Sequence, residues 1–146
     1  MNVTADGTAG PNLFVASSGN VGIGTTGPGT KLQVKTEDSA TNSITDILSL
    51  IHTTTGTQAA GFGSGIGFQN ERASDGILIT DAGRIAAVTE STDGLNGLAF
   101  YTRPSAGLAE KMRIQYDGNV GIGTTTPANA LVINGADNSQ LNITRS

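Results

Sequence analysis

Short runs of strict apolar/polar alternation dominate the chain. Met112, Ile114 and Tyr116 alternate with Arg113 and Gln115, which predicts a half-buried strand. Asp117-Gly118 follows, a dipeptide favoured by type I′ hairpin turns. Val120 and Ile122 then alternate with Gly121 and Gly123 in a second strand. Thr124 to Pro127 end that strand, because proline cannot donate to a sheet ladder, and Leu131 and Ile133 begin a third.

The same pattern occurs earlier in the chain. Gly19-Asn20-Val21-Gly22-Ile23-Gly24-Thr25-Thr26 recurs identically as Gly118-Asn119-Val120-Gly121-Ile122-Gly123-Thr124-Thr125. The correspondence runs on without a gap: Pro28 aligns with Pro127, Leu32 with Leu131 and Val34 with Ile133, and upstream Leu13 and Val15 align with Met112 and Ile114. The chain therefore carries two copies of one module. The organisation expected is a first module with its lead-in at 1–34, a β-rich insert at 35–111, a second module at 112–134 and the start of a further, truncated module at 135–146. Leu141-Asn142-Ile143 would open a strand of that last piece, and the expectation is a fragment or an end completed by a partner.

Within the insert, Ile47 to Ile51 is an apolar run followed by Thr53-Thr54-Thr55-Gly56, expected as a β-rich segment ending in a turn. Thr41 to Ile51 suits a helix about as well as a strand. Gly61, Gly63, Gly65 and Gly67 alternate with Phe62, Ser64, Ile66 and Phe68, so an extended chain puts all four glycines on one face. Strands are also expected at Ile77–Thr80, Arg84–Thr89 and Leu98–Thr102, separated by turns at Ser74-Asp75-Gly76, Asp81-Ala82-Gly83 and Asp93-Gly94. The fold class that follows is all-β, a meander or sandwich of short strands.

Composition adds one physical constraint. Only 36% of the 146 residues are hydrophobic, aromatics are 4% and Trp is absent. Large rings anchor most compact cores, so this chain is expected to bury more surface by associating with copies of itself. Twenty-one glycines with four prolines suit tight turns and close strand packing, and 14% charged residues do not suit a disordered chain. A net charge of −4 argues against nucleic acid and anionic membranes as partners. Cysteine is absent, which excludes disulfides and thiolate metal sites. No apolar stretch is long enough for a transmembrane helix, and Met1 to Gly10 lacks the basic and apolar regions of a secretory signal.

The G-N-V-G-I-G-T-T-x-P module followed by a short apolar strand resembles a module common in bacteriophage tail-fibre proteins. The order of landmarks between the copies is similar too: Gly61 to Phe68, Ala82-Gly83-Arg84-Ile85, Leu98 to Thr102, then Glu110-Lys111-Met112-Arg113-Ile114. The resemblance covers nearly the whole chain and extends to bacterial surface and adhesin segments. It implies an elongated, intertwined homotrimer in the virion, a structural role as shaft or spacer in host attachment, and other virion proteins as partners. An adhesin module binding carbohydrate on a host surface, located on a bacterial cell, is the alternative implied. A fragment of a polysaccharide-degrading spike ranks last. Some relatives carry a self-cleaving chaperone domain, to which nothing here corresponds.

Candidate chemistry is sparse. Gly22-Ile23-Gly24-Thr25-Thr26-Gly27 matches G-x-G-x-x-G, with Glu37 and Asp38 downstream, but a dinucleotide loop must open a helix, and Pro28-Gly29 and a strand pattern follow instead. The second copy has Thr126 where the third glycine would stand. His52 is the single histidine; Ser49 and Asp46 are its neighbours in sequence, but residues three apart on a strand point to opposite faces, so a buried or axis-lining histidine is expected. Carboxylates for a glycosidase would come from Glu71, Asp75, Asp81 and Glu90, and sugar clefts favour aromatic platforms that the chain lacks. Asn2-Val3-Thr4 and Asn142-Ile143-Thr144 match the short glycosylation pattern. Arg84, Arg103, Lys111 and Arg113 form no basic run. They are expected as solvating charges on exposed strand faces or as partners of Glu90 and Glu110. No catalytic, cofactor or metal residue is assigned. Loops at Asn70–Gly76 and Asp93–Gly97 are the places where a glycan would touch. Val21, Ile23, Val120 and Ile122 are expected to face the interior of an oligomer, with Gly22, Gly24, Gly121 and Gly123 letting neighbouring backbones approach.

Overall fold

A repeated strand–turn–strand module needs a sheet to join, and the computed structural model shows where each copy finds one. It describes residues 2–3, 13–37, 39, 41–72 and 77–135. Every regular element among them is a β-strand, so the fold is all-β. The chain divides into two units, Met1–Ser49 and Leu50–Ser146.

The first unit holds a four-stranded sheet in the order β1-β2-β3-β4, built from β1 (Asn2–Val3), β2 (Leu13–Val15), β3 (Val21–Ile23) and β4 (Leu32–Val34). The second holds a six-stranded sheet in the order β10-β9-β8-β7-β6-β5. Its strands are β5 (Gly63–Glu71), β6 (Leu78–Thr89), β7 (Asn96–Thr102), β8 (Ala109–Ile114), β9 (Val120–Ile122) and β10 (Leu131–Ile133). Among the described residues each unit has one sheet, with no second sheet packed on it as in a sandwich.

The two module copies fold in the same register. Leu13 faces Ile23 and Val15 faces Val21 across antiparallel β2 and β3, as Met112 faces Ile122 and Ile114 faces Val120 across β8 and β9. The third strand then pairs parallel to the second: Val21 with Leu32 and Ile23 with Val34, Val120 with Leu131 and Ile122 with Ile133. The module is thus mixed and not a meander. Parallel neighbours usually need a crossover of a dozen or more residues; here residues 24–31 and 123–130 suffice, with no helix.

The motif letters explain how. The Gly118 N–H donates to the Gln115 carbonyl (2.9 Å) and the Gln115 N–H to the Asn119 carbonyl (2.8 Å), enclosing a three-residue loop, Tyr116-Asp117-Gly118. Gly118 has φ +89°, the left-handed residue that follows a type I turn in such loops. The two-residue type I′ turn expected at Asp117-Gly118 is therefore replaced by this longer loop, and Tyr116 leaves the strand for it. Ser17-Ser18-Gly19 repeats the arrangement, with Gly19 at φ +77°. The side-chain amide of Asn119 donates to the Pro127 carbonyl (3.4 Å), and that of Asn20 to Pro28 (3.1 Å), which ties the crossover back to the strand. The threonine hydroxyl oxygens accept from N–H groups two residues on, Thr25 from Gly27 and Thr124 from Thr126.

A side chain on Gly121 would lie 2.5 Å from the Thr124 carbonyl oxygen and against the Pro127 ring. One on Gly123, at φ +74°, would overlap the Asn134 carbonyl. Gly22 and Gly24 are equivalent, against Thr25 and Lys35. The backbone that approaches these glycines belongs to the same chain: the crossover at Gly22 and Gly121, and the residue after β4 and β10 at Gly24 and Gly123.

The insert departs from expectation in three places. Asp81-Ala82-Gly83 is not a turn but part of β6, which joins both strands expected on either side. The ladder steps from Phe68 opposite Gly83 to Asn70 opposite Ile79, so these residues form a bulge against β5. Gly61 lies ahead of β5, at φ +95°, so the glycine face keeps three members. Residues 41–62 form neither helix nor strand, so the β-rich reading of Ile47–Gly56 and the helical reading of Thr41–Ile51 both fail. The turn at Asp93-Gly94 is present: the Glu90 N–H donates to the Leu95 carbonyl (2.8 Å), and Gly94 is at φ +77°. The turn at 74–76, the strand at 141–143 and both glycosylation triplets lie wholly or partly outside the described residues.

Candidate functional site

The six-stranded sheet has two different faces. On one, a ladder of facing positions crosses every strand: Ile66, Ile85, Phe100, Met112, Ile122 and Ile133. A second ladder runs beside it: Ser64, Ala87, Leu98, Ile114, Val120 and Leu131. No position in either ladder is charged, and Ser64 is the one polar side chain. Ile66, Ile85, Leu98, Ile122, Leu131 and Ile133 are all exposed. In the first unit Leu13, Ile23 and Val34, with Val15, Val21 and Leu32, make the matching ladders. Val15, Ile23 and Leu32 are exposed there too.

The core on the other face is slight. Ala86, Val88 and Ala99 are its buried apolar residues, with Tyr101 packed against them, and no large side chain among the described residues is fully buried. Val21, Ile23, Val120 and Ile122 thus face no interior within one chain. Contiguous exposed apolar patches are uncommon on monomeric proteins and, where large, mark interaction surfaces.

The second face carries a charged cluster. Arg113 donates through Nε and Nη2 to both oxygens of Glu110 (2.8 Å each) and through Nη1 to Glu90 Oε1 (2.9 Å). Glu90 Oε2 also accepts from the Tyr116 N–H (3.3 Å). The three residues are half-buried, with side chains 12% exposed for Arg113 and 6% for Glu90. The hydrogen bond to Glu110 raises the Arg113 pKa above its usual value, opposed by burial. Burial, then the Glu110 carboxylate beside it, raises that of the Tyr101 phenol. Arg84 lies 5.8 Å over the Tyr101 ring. A cleft of about 430 Å³ opens beside the cluster, with Thr125 and Thr126 of the crossover on its wall.

Glu110 and Arg113 share a face because β8 is bulged. Phe100 faces Met112 while Tyr101 faces Glu110, which leaves Lys111 as the extra residue. Without that bulge residues three apart would point to opposite faces. Arg113 is therefore no solvating charge but a half-buried partner of both glutamates. Arg103 pairs with Asp81, and Lys111 is exposed.

The other sequence candidates are not brought together. Gly22 and Gly24 belong to the β3 end and its crossover, with no helix after them. Glu37 is an exposed partner of Lys35 (2.7 Å), whose hydrogen bond lowers the carboxyl pKa, and Asp38 lies outside the described residues. His52 is exposed and not buried: its ring stacks on Phe62 (centroids 4.3 Å apart), and Nδ1 lies 2.8 Å from the Gly63 carbonyl oxygen. Ser49 and Asp46 are not its partners. Glu71 is exposed at the end of β5, Asp75 is not described, and Asp81 and Glu90 are each held by an arginine. Among the described residues no group of three or more His, Asp or Glu is placed to hold a metal ion, and no helix is long and apolar enough to cross a membrane.

No family model matches this sequence, and no curated protein matches it.

Proposed function

We propose that this chain is a structural segment of a self-associating fibre, in which the charge-free face of the six-stranded sheet and its counterpart in the first unit are covered by further copies. The observation that carries the reading is the pair of ladders from Ile66 to Ile133 and from Ser64 to Leu131, exposed in a chain whose own core is little more than Ala86, Val88 and Ala99. The role is mechanical: the module repeats, each copy offers the same apolar face, and stacking copies extends a shaft. The resemblance of the G-N-V-G-I-G-T-T module to phage tail fibres supports a homotrimer in the virion that serves host attachment. Light scattering on the purified chain tests this. A trimer of the 14.7 kDa chain weighs about 44 kDa (3 × 14.7); a mass of 14.7 kDa at all concentrations contradicts the proposal.

A further inference from the structure

The apolar face of the six-stranded sheet ends on an aromatic pair. Gly63 faces Val88 on one side of the sheet, so Ser64 and Ala87 lie on the ladder side, and Phe62 and Thr89, each two residues away, return to it. Their backbones stay joined: the Gly61 N–H donates to the Thr89 carbonyl (2.8 Å) and the Thr89 N–H to that of Phe62 (2.6 Å). His52 stacks its ring on Phe62, with centroids 4.3 Å apart and planes at 29°. The two rings bound a cleft of about 310 Å³ whose other walls include Ser64, Ala87, Thr89 and Asn96. His52 thus stands at the rim of the face whose ladders are proposed to meet further copies, and it is exposed in the single chain.

Its hydrogen bond fixes where the ring takes up a proton. Nδ1 lies 2.8 Å from the Gly63 carbonyl oxygen, which can only accept, so Nδ1 carries hydrogen and Nε2 is the nitrogen that gains the proton. The surroundings supply no buried counter-charge. No charged residue occurs from Ile47 to Asn70. On β6, Arg84 lies over the Tyr101 ring on the other face, and Asp81 is held by Arg103. Glu90, which follows β6, is turned to the other face by Arg113. β7 carries no charge, and its Tyr101 pairs with Arg84 on the other face. Asp93 lies in the β6–β7 turn and Asp46 belongs to the first unit; both are exposed, where water and salt screen them.

We infer that His52 makes self-association through this face acid-sensitive: the face closes on another copy while the imidazole is neutral and opens when Nε2 is protonated. This rests on the self-associating reading above and adds its control. A second copy, meeting the face with its own, brings further charge-free ladder positions and no carboxylate to pair with an imidazolium. Burial without a partner disfavours the charged form, and histidine is the side chain whose charge changes between about pH 5 and pH 8. Association therefore selects the chain that lacks the proton, and lowering the pH works against it.

Sedimentation equilibrium over a concentration series, at about pH 8 and about pH 5.5, tests this. The wild-type concentration at half-assembly should rise at least ~5-fold at the lower pH, with circular dichroism unchanged. His52→Gln cannot gain the charge, so its half-assembly concentration should be the same at both pH values, whatever its absolute level. His52→Arg carries the charge throughout and should assemble at the higher pH no better than wild type does at the lower. Three results each overturn the inference while leaving self-association standing: a wild type that assembles equally at both pH values, a His52→Gln chain that keeps the wild-type pH dependence, or a His52→Arg chain that assembles like wild type at the higher pH. If the variants do not fold, the single histidine gives one imidazole signal in NMR of the unmodified chain. The assembled chain should keep the neutral signal at a pH where a monomeric Ile122→Asp chain shows the charged one; coincident titrations overturn the inference. A wild type that is monomeric at the higher pH removes the underlying reading as well.

Discussion

Glu110 and Arg113 lie three residues apart on β8 and still point to the same face, joined by two hydrogen bonds of 2.8 Å, because Lys111 is bulged out of the ladder between them. Glu90, arriving from the end of β6, fills the third arm of the guanidinium. The cluster bridges the end of β6 and β8 across β7, on the side away from the apolar ladders. Ion pairs of this kind contribute modest net stability, but removing one partner strands the others.

Arg113→Ala should be destabilising, because it leaves two half-buried carboxylates without a cation. The expected loss is about 1–3 kcal/mol, measured as a fall in the urea midpoint. Arg113→Lys keeps the charge but not the fork and should fall between wild type and alanine.

Gly121→Val should prevent the β9–β10 crossover from forming, because the new side chain would collide with the Thr124 carbonyl and the Pro127 ring. The expected outcome is loss of β-sheet signal in circular dichroism. Gly27 is the control. It meets nothing within 4 Å, and the second module carries Thr126 at the same place. Gly27→Thr should shift stability by no more than about 0.5 kcal/mol.

Much of the module was legible in the sequence: alternation located β2, β3, β9, β10 and the second half of β8, whose start at Ala109 it missed, and the repeat required that both copies pair alike. The parallel pairing was not legible, because a crossover of this length without a helix has no pattern signature. It depends on Asn119 reaching Pro127 and on two glycines that admit a carbonyl. Asp81-Ala82-Gly83 has turn composition, but a bulge draws on the same residues, and only the ladder with β5 separates the two. Ile47, Leu48, Leu50 and Ile51 read as a strand in the sequence, yet they are exposed and belong to neither sheet. The Glu90–Arg113–Glu110 cluster was half visible. Its members were named as possible partners, but only the bulge at Lys111 puts them on one face and out of solvent.

Tyr101 makes a pH prediction. Burial and Glu110 raise its folded-state pKa above the ordinary value of 10.0. The folded state thus holds the phenolic proton more tightly than the unfolded state. The corresponding stability is fully present below the unfolded pKa and is lost as pH rises through the folded one. Urea midpoints from pH 8 to pH 11 should fall more steeply for wild type than for Tyr101→Phe. Parallel curves for the two would count against it.

Ile122 lies in the exposed ladder, between Met112 and Ile133, on the face opposite the charged cluster. Ile122→Asp puts a charge on the proposed contact while leaving a half-exposed position that a folded single chain tolerates. Sedimentation equilibrium of wild type and this variant, side by side, tests self-association through the apolar face most directly. Wild type should sediment at about 44 kDa and Ile122→Asp at 14.7 kDa with unchanged sheet content. A monomeric wild type, or a variant that keeps the wild-type mass, would contradict the account.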